Sequence, residues 1–279
     1  MRTKESEIRT AWLGSGSMTT IESLLEANKG GRFKNVKPAL LVADRTGSRV
    51  EELAGRFDMP WLLIPVKDFK KDGKLDFDAW SAEVAKKFAD RGIEFFGMHG
   101  LLSLLKVGIP GLNQHNGPTD PERGHDYGGY MMYGQRVVAS RLAFSYIYDD
   151  DFWTESVVHN VEPEYDTGTH ITTARFDYDR PTLPGPITIH TLFQDPKGIQ
   201  YLKDQTELVW KGEDKVGGGA LLGLEHQNVI RAYDILDEVG IDGLPRKVRP
   251  EPLTLPEAQP LLAQIKPRAI NLYAKKKVA

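Results

Sequence analysis

Ala11-Trp12-Leu13-Gly14-Ser15-Gly16-Ser17-Met18, continuing to Asn28, sets out the unit from which the rest of the chain is built. A short apolar run ends in a Gly-Ser-Gly-Ser turn, and from Met18 the apolar positions fall at helical spacing, with Ile21, Leu24 and Leu25 on one face. Strand, glycine turn and amphipathic helix make half of a βαβ unit. The alternation recurs. Ala39 to Ala43 reads as a second strand, followed by Asp44 and a helix carrying Val50, Leu53, Ala54 and Phe57, with Ser48 as its cap and Glu51 at the capping-box position. Trp61 to Ile64 is a third strand, Phe77 to Phe88 a third helix, Ile93 to Met98 a fourth strand and Leu112 to His115 a fifth. Such a pattern predicts an α/β fold, an open and mostly parallel sheet with helices on both faces.

Beyond the fifth strand, 117–129 is polar and rich in Gly, Pro and Asp, and reads as a loop outside a strand end, where ligands bind in open α/β sheets. Tyr130 to Ser140 reads as a helix and Thr154 to Val161 as a strand. Ile171 to Phe176 and Ile187 to Leu192 read as strands, Gln200 to Trp210 and Leu224 to Val239 as helices. One α/β domain is expected over residues 1–243, with an insertion near 178–215. Residues 244–279 hold six prolines and eight Lys/Arg against two Glu, and read as a basic, Pro-rich extension with little regular structure.

Bulk composition narrows the functional classes. Of the 279 residues, 40% are hydrophobic and 27% charged, ordinary for a globular enzyme. A net charge of −3 gives no electrostatic case for nucleic acid or an anionic membrane as partner. No apolar run approaches the roughly 20 residues of a membrane span. Residues 1–8 carry charges and lack the apolar stretch of a secretory signal. The absence of cysteine removes disulfides, thiolate metal ligands and cysteine nucleophiles, and no metal-ligand spacing is present. A cytoplasmic location is the expectation; the oligomeric state stays open, a homodimer included.

Two further stretches carry chemistry, Gly111-Leu112-Asn113-Gln114-His115-Asn116 and Val158-His159-Asn160-Val161-Glu162-Pro163-Glu164-Tyr165-Asp166-Thr167-Gly168. Asn113 and His115, two apart on a strand, point to one side. A carboxylate from a later turn would complete a set able to polarise a carbonyl, move a proton and hold an imidazole in place. Singly, each has a plainer reading: a hydrogen-bonded strand histidine, a turn asparagine, a turn aspartate. Likewise Gly14–Ser17 is either a tight βα turn or a cradle for a phosphate at a helix start. A dinucleotide-binding Gly-x-Gly-x-x-Gly would need glycine where Thr19 stands, although Asp44 follows the second strand as that reading requires.

Asn-x-His together with Val-His-x-Val-x-x-x-x-Asp-x-Gly resembles the folate-dependent formyltransferases, the glycinamide ribonucleotide transformylase branch most closely, over most of residues 9–240. The resemblance implies a Rossmann-like formyltransferase fold with an elaborated C-terminal part, and formyl transfer from 10-formyltetrahydrofolate, without a metal, to a primary amine such as the phosphorylated amine glycinamide ribonucleotide in purine biosynthesis. It implies that Asn113 hydrogen-bonds the formyl oxygen, that His115 is the catalytic imidazole, and that Asp166 orients His115 and positions a relaying water. Ser15, Gly16, Ser17 and Met18 would hold the substrate phosphate, and Glu225 would reach the ribose, unless it merely opens a solvent-facing helix. Leu101, Leu102, Ser103 and Leu104 would receive the pterin head, or serve simply as core, and His159 would wall the folate site. Family members continue Asn-x-His with Pro-Ser-Leu-Leu-Pro; here Asn116 to Tyr127 differs, which leaves the acceptor open and offers Arg123, His125 and Tyr130 to another substrate. Transfer to an amino sugar, hydrolysis of formylfolate, a Rossmann oxidoreductase using Gly14–Ser17 and Asp44, and a folate or nucleotide binder without catalysis stand as the alternatives.

Overall fold

The computed structural model describes residues 7–120, 125–148, 151–180, 187–211, 220–245 and 259–274. In chain order its elements are β1 (Ile8–Gly14), α1 (Thr19–Lys29), β2 (Val36–Ala43), α2 (Val50–Phe57), β3 (Trp61–Leu63), β4 (Lys70–Lys71), β5 (Lys74–Leu75), α3 (Phe77–Ala89), β6 (Phe95–Met98) and β7 (Gly111–His115). They continue with β8 (Thr119–Asp120), β9 (His125–Asp126), α4 (Gln135–Tyr148), β10 (Trp153–Asn160), β11 (His170–Asp177), α5 (Ile189–Phe193), α6 (Pro196–Lys211), α7 (Ala220–Gly243) and α8 (Gln259–Leu272). Seven strands form one sheet in the order β11-β10-β7-β6-β1-β2-β3, with β1 parallel to β2 and β6, β2 to β3, and β6 to β7. The two outward progressions from β1 are those of an open, mostly parallel α/β sheet.

The chain divides into two compact units. The first comprises Met1–Gln114, Val158–Thr172 and His226–Lys247. Its central strands are buried on both faces. Ala11 and Leu13 of β1, with Leu40 and Val42 of β2, pack on Trp80, Val84 and Phe88 of α3. Their alternates Trp12, Leu41 and Ala43 pack on Ile21 and Leu24 of α1, Leu53 of α2, and Val229, Tyr233 and Leu236 of α7. Near-continuous apolar runs are what such two-sided burial requires. The α7 helix is pinned at its far end, where the Asp237 carboxylate accepts the backbone N–H groups of Lys34 (3.0 Å), Asn35 (2.6 Å) and Val36 (2.7 Å) as β2 begins.

The second unit comprises His115–Val157, Thr173–Glu225 and Val248–Ala279. Its core gathers Val137, Leu142 and Phe144 of α4, Leu202 and Val209 of α6, and Leu262, Ile265 and Ala269 of α8. Every residue of α4 from Arg136 to Tyr146 is buried, the polar Arg136, Ser140, Arg141 and Ser145 included, so this stretch has no solvent-facing side.

Three expectations from the sequence give way. Ile187 to Leu192 is helical rather than extended, because Thr188 and Thr191 form a reciprocal capping box that starts α5. The Pro-rich extension contains α8, in which Pro260 falls in the first turn, where its missing N–H costs no hydrogen bond, while Pro267 stands inside the helix and removes one, against the burial of Leu262, Ile265 and Ala269 in the core. Ser48 does not cap α2; the N-cap is Arg49, whose amide donates to the Gly16 carbonyl at 3.1 Å. The β4–β5 hairpin turns on Asp72 and Gly73, both with positive φ as a two-residue turn of that hand needs.

Candidate active site

Within the first unit, Asn113 from β7, His159 from β10 and Asp166 from the turn before β11 come together. Asn113 Nδ2 donates to Asp166 Oδ1 at 3.1 Å and lies 3.2 Å from His159 Nε2. His159 Nε2 stands 3.5 Å from the same carboxylate oxygen, and the His159 and Asp166 side chains are only 2% and 7% exposed. The far side of the ring is fixed, since Nδ1 is 2.8 Å from the Asn160 carbonyl, which can only accept. Nδ1 therefore carries a proton, and a neutral His159 presents its Nε2 lone pair to the Asn113 amide. A proton arriving at Nε2 would face the Asp166 carboxylate. The cluster sets an amide donor between an imidazole nitrogen and a carboxylate oxygen.

Asp166 reaches this place through a turn with φ 56°, a left-handed conformation that aspartate tolerates. Gly168 two residues on lies against β10. A Cβ there would fall 1.7 Å from the Asn160 carbonyl oxygen and 3.0 Å from His159 Nδ1, so no larger residue fits. The Asp-Thr-Gly order thus places the carboxylate and makes room for the strand beside it.

The turn after β1 leads into α1 through Met18, held at φ 51° as N-cap without a side-chain capping bond. The first backbone N–H taken up in the helix is that of Glu22, by the Met18 carbonyl, so the amides of Thr19, Thr20 and Ile21 have no carbonyl of their own helix. Around this helix start stand two residues that the sequence did not single out. His226 Nε2 is 3.3 Å from Thr19 Oγ1, and burial lowers its pKa against the opposing pull of Glu22. Arg49 Nη1 contacts the Ser17 carbonyl at 3.3 Å and Glu22 at 2.8 Å, while its other nitrogens bind Glu52. Sequence spacing could not join His226 to Thr19 across 207 residues.

Ser15 is buried, and its Oγ accepts the Leu102 amide at 3.1 Å, which ties the turn to 101–105. Within that stretch Leu101 and Leu105 belong to the core beside Met98, whereas Leu102 is half-buried. Ser103 Oγ donates to Asp44 Oδ2 at 2.9 Å, and Arg45 lies 3.4 Å from Oδ1. Asp44 is thereby buried and engaged within the fold rather than presented to a ribose. Leu104 turns to a cleft of about 640 Å³ that Leu75, Phe77 and Lys106 also line.

In the second unit His115 is 4% exposed, with Nδ1 3.1 Å from the Gly117 carbonyl and Nε2 3.2 Å from the Met132 carbonyl. Gly117 leaves room for α4, because a Cβ there would meet Val137 Cγ1 at 2.1 Å. Glu225 is 2% exposed, which removes its reading as part of a solvent-facing helix start. Tyr130 is 68% exposed. Arg123 and the His125 side chain lie outside the described residues. Among the described residues no group of three or more His, Asp or Glu could hold a metal ion, and no helix is long and apolar enough to cross a membrane.

No protein-family model and no curated protein matches this sequence. Solved structures do match its fold. The glycinamide ribonucleotide transformylase 1 of Symbiobacterium toebii superposes with a TM-score of 0.56 at 19% identity, over 83% of this chain and 88% of its own. The phosphoribosylglycinamide formyltransferase of Bacillus halodurans gives 0.57 at 17% identity, over 82% and 94%. The transformylase 1 of Geobacillus kaustophilus gives 0.53 at 21% identity, over 82% and 98%. The seven-stranded sheet and its helices are thus those of the formyltransferase fold.

Proposed function

We propose that this protein transfers the formyl group of 10-formyltetrahydrofolate to a primary amine, with glycinamide ribonucleotide the first acceptor to test. The observation that carries the reading is the buried Asn113–His159–Asp166 cluster, on a formyltransferase fold. In this reading the Asn113 amide gives up its contact with His159 Nε2 and donates that N–H to the formyl oxygen as negative charge grows on it, while its other N–H stays on Asp166. Asp166 holds that amide and His159 in place, and positions the water that relays the amine's proton. His115, on the same strand as Asn113, is the acid–base imidazole once one ring nitrogen leaves its backbone carbonyl, a role that typically supplies on the order of 10²–10⁴ in rate. The free amides of Thr19, Thr20 and Ile21, with His226 beside them, suit the acceptor's phosphate. The 101–105 stretch, Glu225 and the wall formed by His159 take the pterin and ribose contacts. The acceptor is a small molecule, and the protein is cytoplasmic.

A spectrophotometric assay with 10-formyltetrahydrofolate, run with and without glycinamide ribonucleotide, tests this. Amine-dependent release of tetrahydrofolate is expected, and it should fall by about 10²-fold or more in Asp166→Asn and in His115→Ala while folate affinity changes little. Release that needs no amine would make the protein a formylfolate hydrolase. Loss of folate binding in step with turnover in both variants would assign those residues to structure alone.

A further inference from the structure

The second unit holds a cation, Arg136, that no carboxylate among the described residues neutralises. Arg136 is 6% exposed and sits in the first turn of α4, where the helix dipole disfavours positive charge. Its Nη1 donates to the Met131 carbonyl at 3.1 Å, and the guanidinium lies 4.4 Å from the Tyr133 ring. Among the described residues no carboxylate pairs with it. Burying a guanidinium without an anion is unfavourable, and a fold that does so holds it ready for one.

Asn116 brings a second donor to the same segment. It is 5% exposed, and the Gly134 amide donates to its Oδ1 at 3.0 Å, which fixes the orientation of its amide. Its Nδ2 is then directed away from Gly134, fully buried, and without a hydrogen-bond partner. A short stretch thus anchors three side chains: the Met131 carbonyl holds Arg136, the Met132 carbonyl meets His115 Nε2, and the Gly134 amide holds Asn116. A planar fork of N–H donors and a buried amide donor, both tied to residues 131–134, suit the oxygens of a carboxylate or a phosphate.

We propose that Arg136 and Asn116 form a binding site for an oxyanion, carboxylate or phosphate, next to His115. That the oxyanion belongs to the amine acceptor rests on the transfer reading above; the anion site itself does not. The acceptor then carries an anionic group close to its reactive nitrogen, and Arg136 acts as a specificity residue.

The test is a titration of the isotopically labelled full-length chain at constant ionic strength, with inorganic phosphate and separately with acetate. It is read by NMR at the Arg136 Nε–H and Asn116 Nδ2 side-chain signals. A saturable shift of both signals is expected, and the anion that produces it, acetate or phosphate, names the source. Arg136→Lys keeps the charge but loses the fork, and should weaken binding by about tenfold. Asn116→Asp keeps the bond from Gly134, replaces the amide donor of the proposed site with negative charge that repels an anion, and should abolish binding. Shifts that stay linear with both anions, or saturation unchanged in both variants, overturn the site. Tetrahydrofolate release is measured apart from these signals. An active enzyme without saturable shifts removes the anion site alone, and saturable shifts without release under any amine remove the transfer reading alone.

Discussion

Two histidines buried in the first unit meet different fates. His159 has a partner at each ring nitrogen, whereas His99 hydrogen-bonds Tyr233 through Nε2 at 3.0 Å and leaves Nδ1 buried without one. Burial pushes the His99 pKa from 6.5 down to about 3. The unfolded chain therefore takes up a proton near pH 6.5 that the folded chain refuses until about 3. Stability is fully present above the upper value and is lost as pH falls between the two, by about 1.4 kcal/mol per pH unit. Thermal unfolding should lose roughly 2 kcal/mol between pH 7 and pH 5 from this group, and His99→Gln should flatten that loss. An equal slope in the variant would assign the acid sensitivity to other groups. At this scale the sequence draws attention to Asn113, His115 and Asp166 as a candidate catalytic set, and the family resemblance adds His159 as a wall of the folate site. It could not say which imidazole Asp166 would meet. The expected pairing was with His115; the structure sets Asp166 against Asn113 and His159, a choice made by how β10 lies beside the turn. Arg136 gave no sign, because a buried arginine looks like a surface one until the helix around it is known.

Among the elements, β1, β2, β6 and β7, with α1 and α3, could be read because each is either a short apolar run or a face at helical spacing. The failures have local causes. The apolar run that became α5 is too short for its period to decide, so the Thr188 cap decided it. The prolines argue against α8 only by number: Pro260 stands in a first turn, and Pro267, inside the helix, is outweighed by the burial of Leu262, Ile265 and Ala269. The turn between β10 and β11 shows how one residue can govern an element's placement. Adding a methyl group at Gly168 would drive into the Asn160 carbonyl, the group that orients His159 through Nδ1. Gly168→Ala should cost about 1–3 kcal/mol in thermal stability, as overpacking does. It should also lower turnover by about 10²-fold, because Asp166 and His159 shift together and misplacement of about 1 Å is that expensive. Parallel melting curves and kcat values would check this; unchanged kcat in a destabilised variant would mean that the turn supports the fold and not the chemistry.

The molecule as a whole was expected to be one domain followed by an irregular tail, and the residues of that tail are where its organisation is decided. Residues 248–279 belong to the second unit, and α8 places Leu262, Ile265 and Ala269 in its core with Leu142 and Leu202. The first unit's two clusters, on either face of β1 and β2, contain none of these residues. A cavity made in α8 should therefore weaken one core and spare the other. Ile265 is fully buried, and Ile265→Ala should cost about 2–5 kcal/mol. Hydrogen exchange followed by mass spectrometry should show protection falling in α4 and α6 and holding in β1, β2 and α1, since separately cored regions open as separate cooperative units. Equal loss across β1 and β2 would mean that the two cores melt as one, and the tail's contribution would then be to the stability of the entire chain.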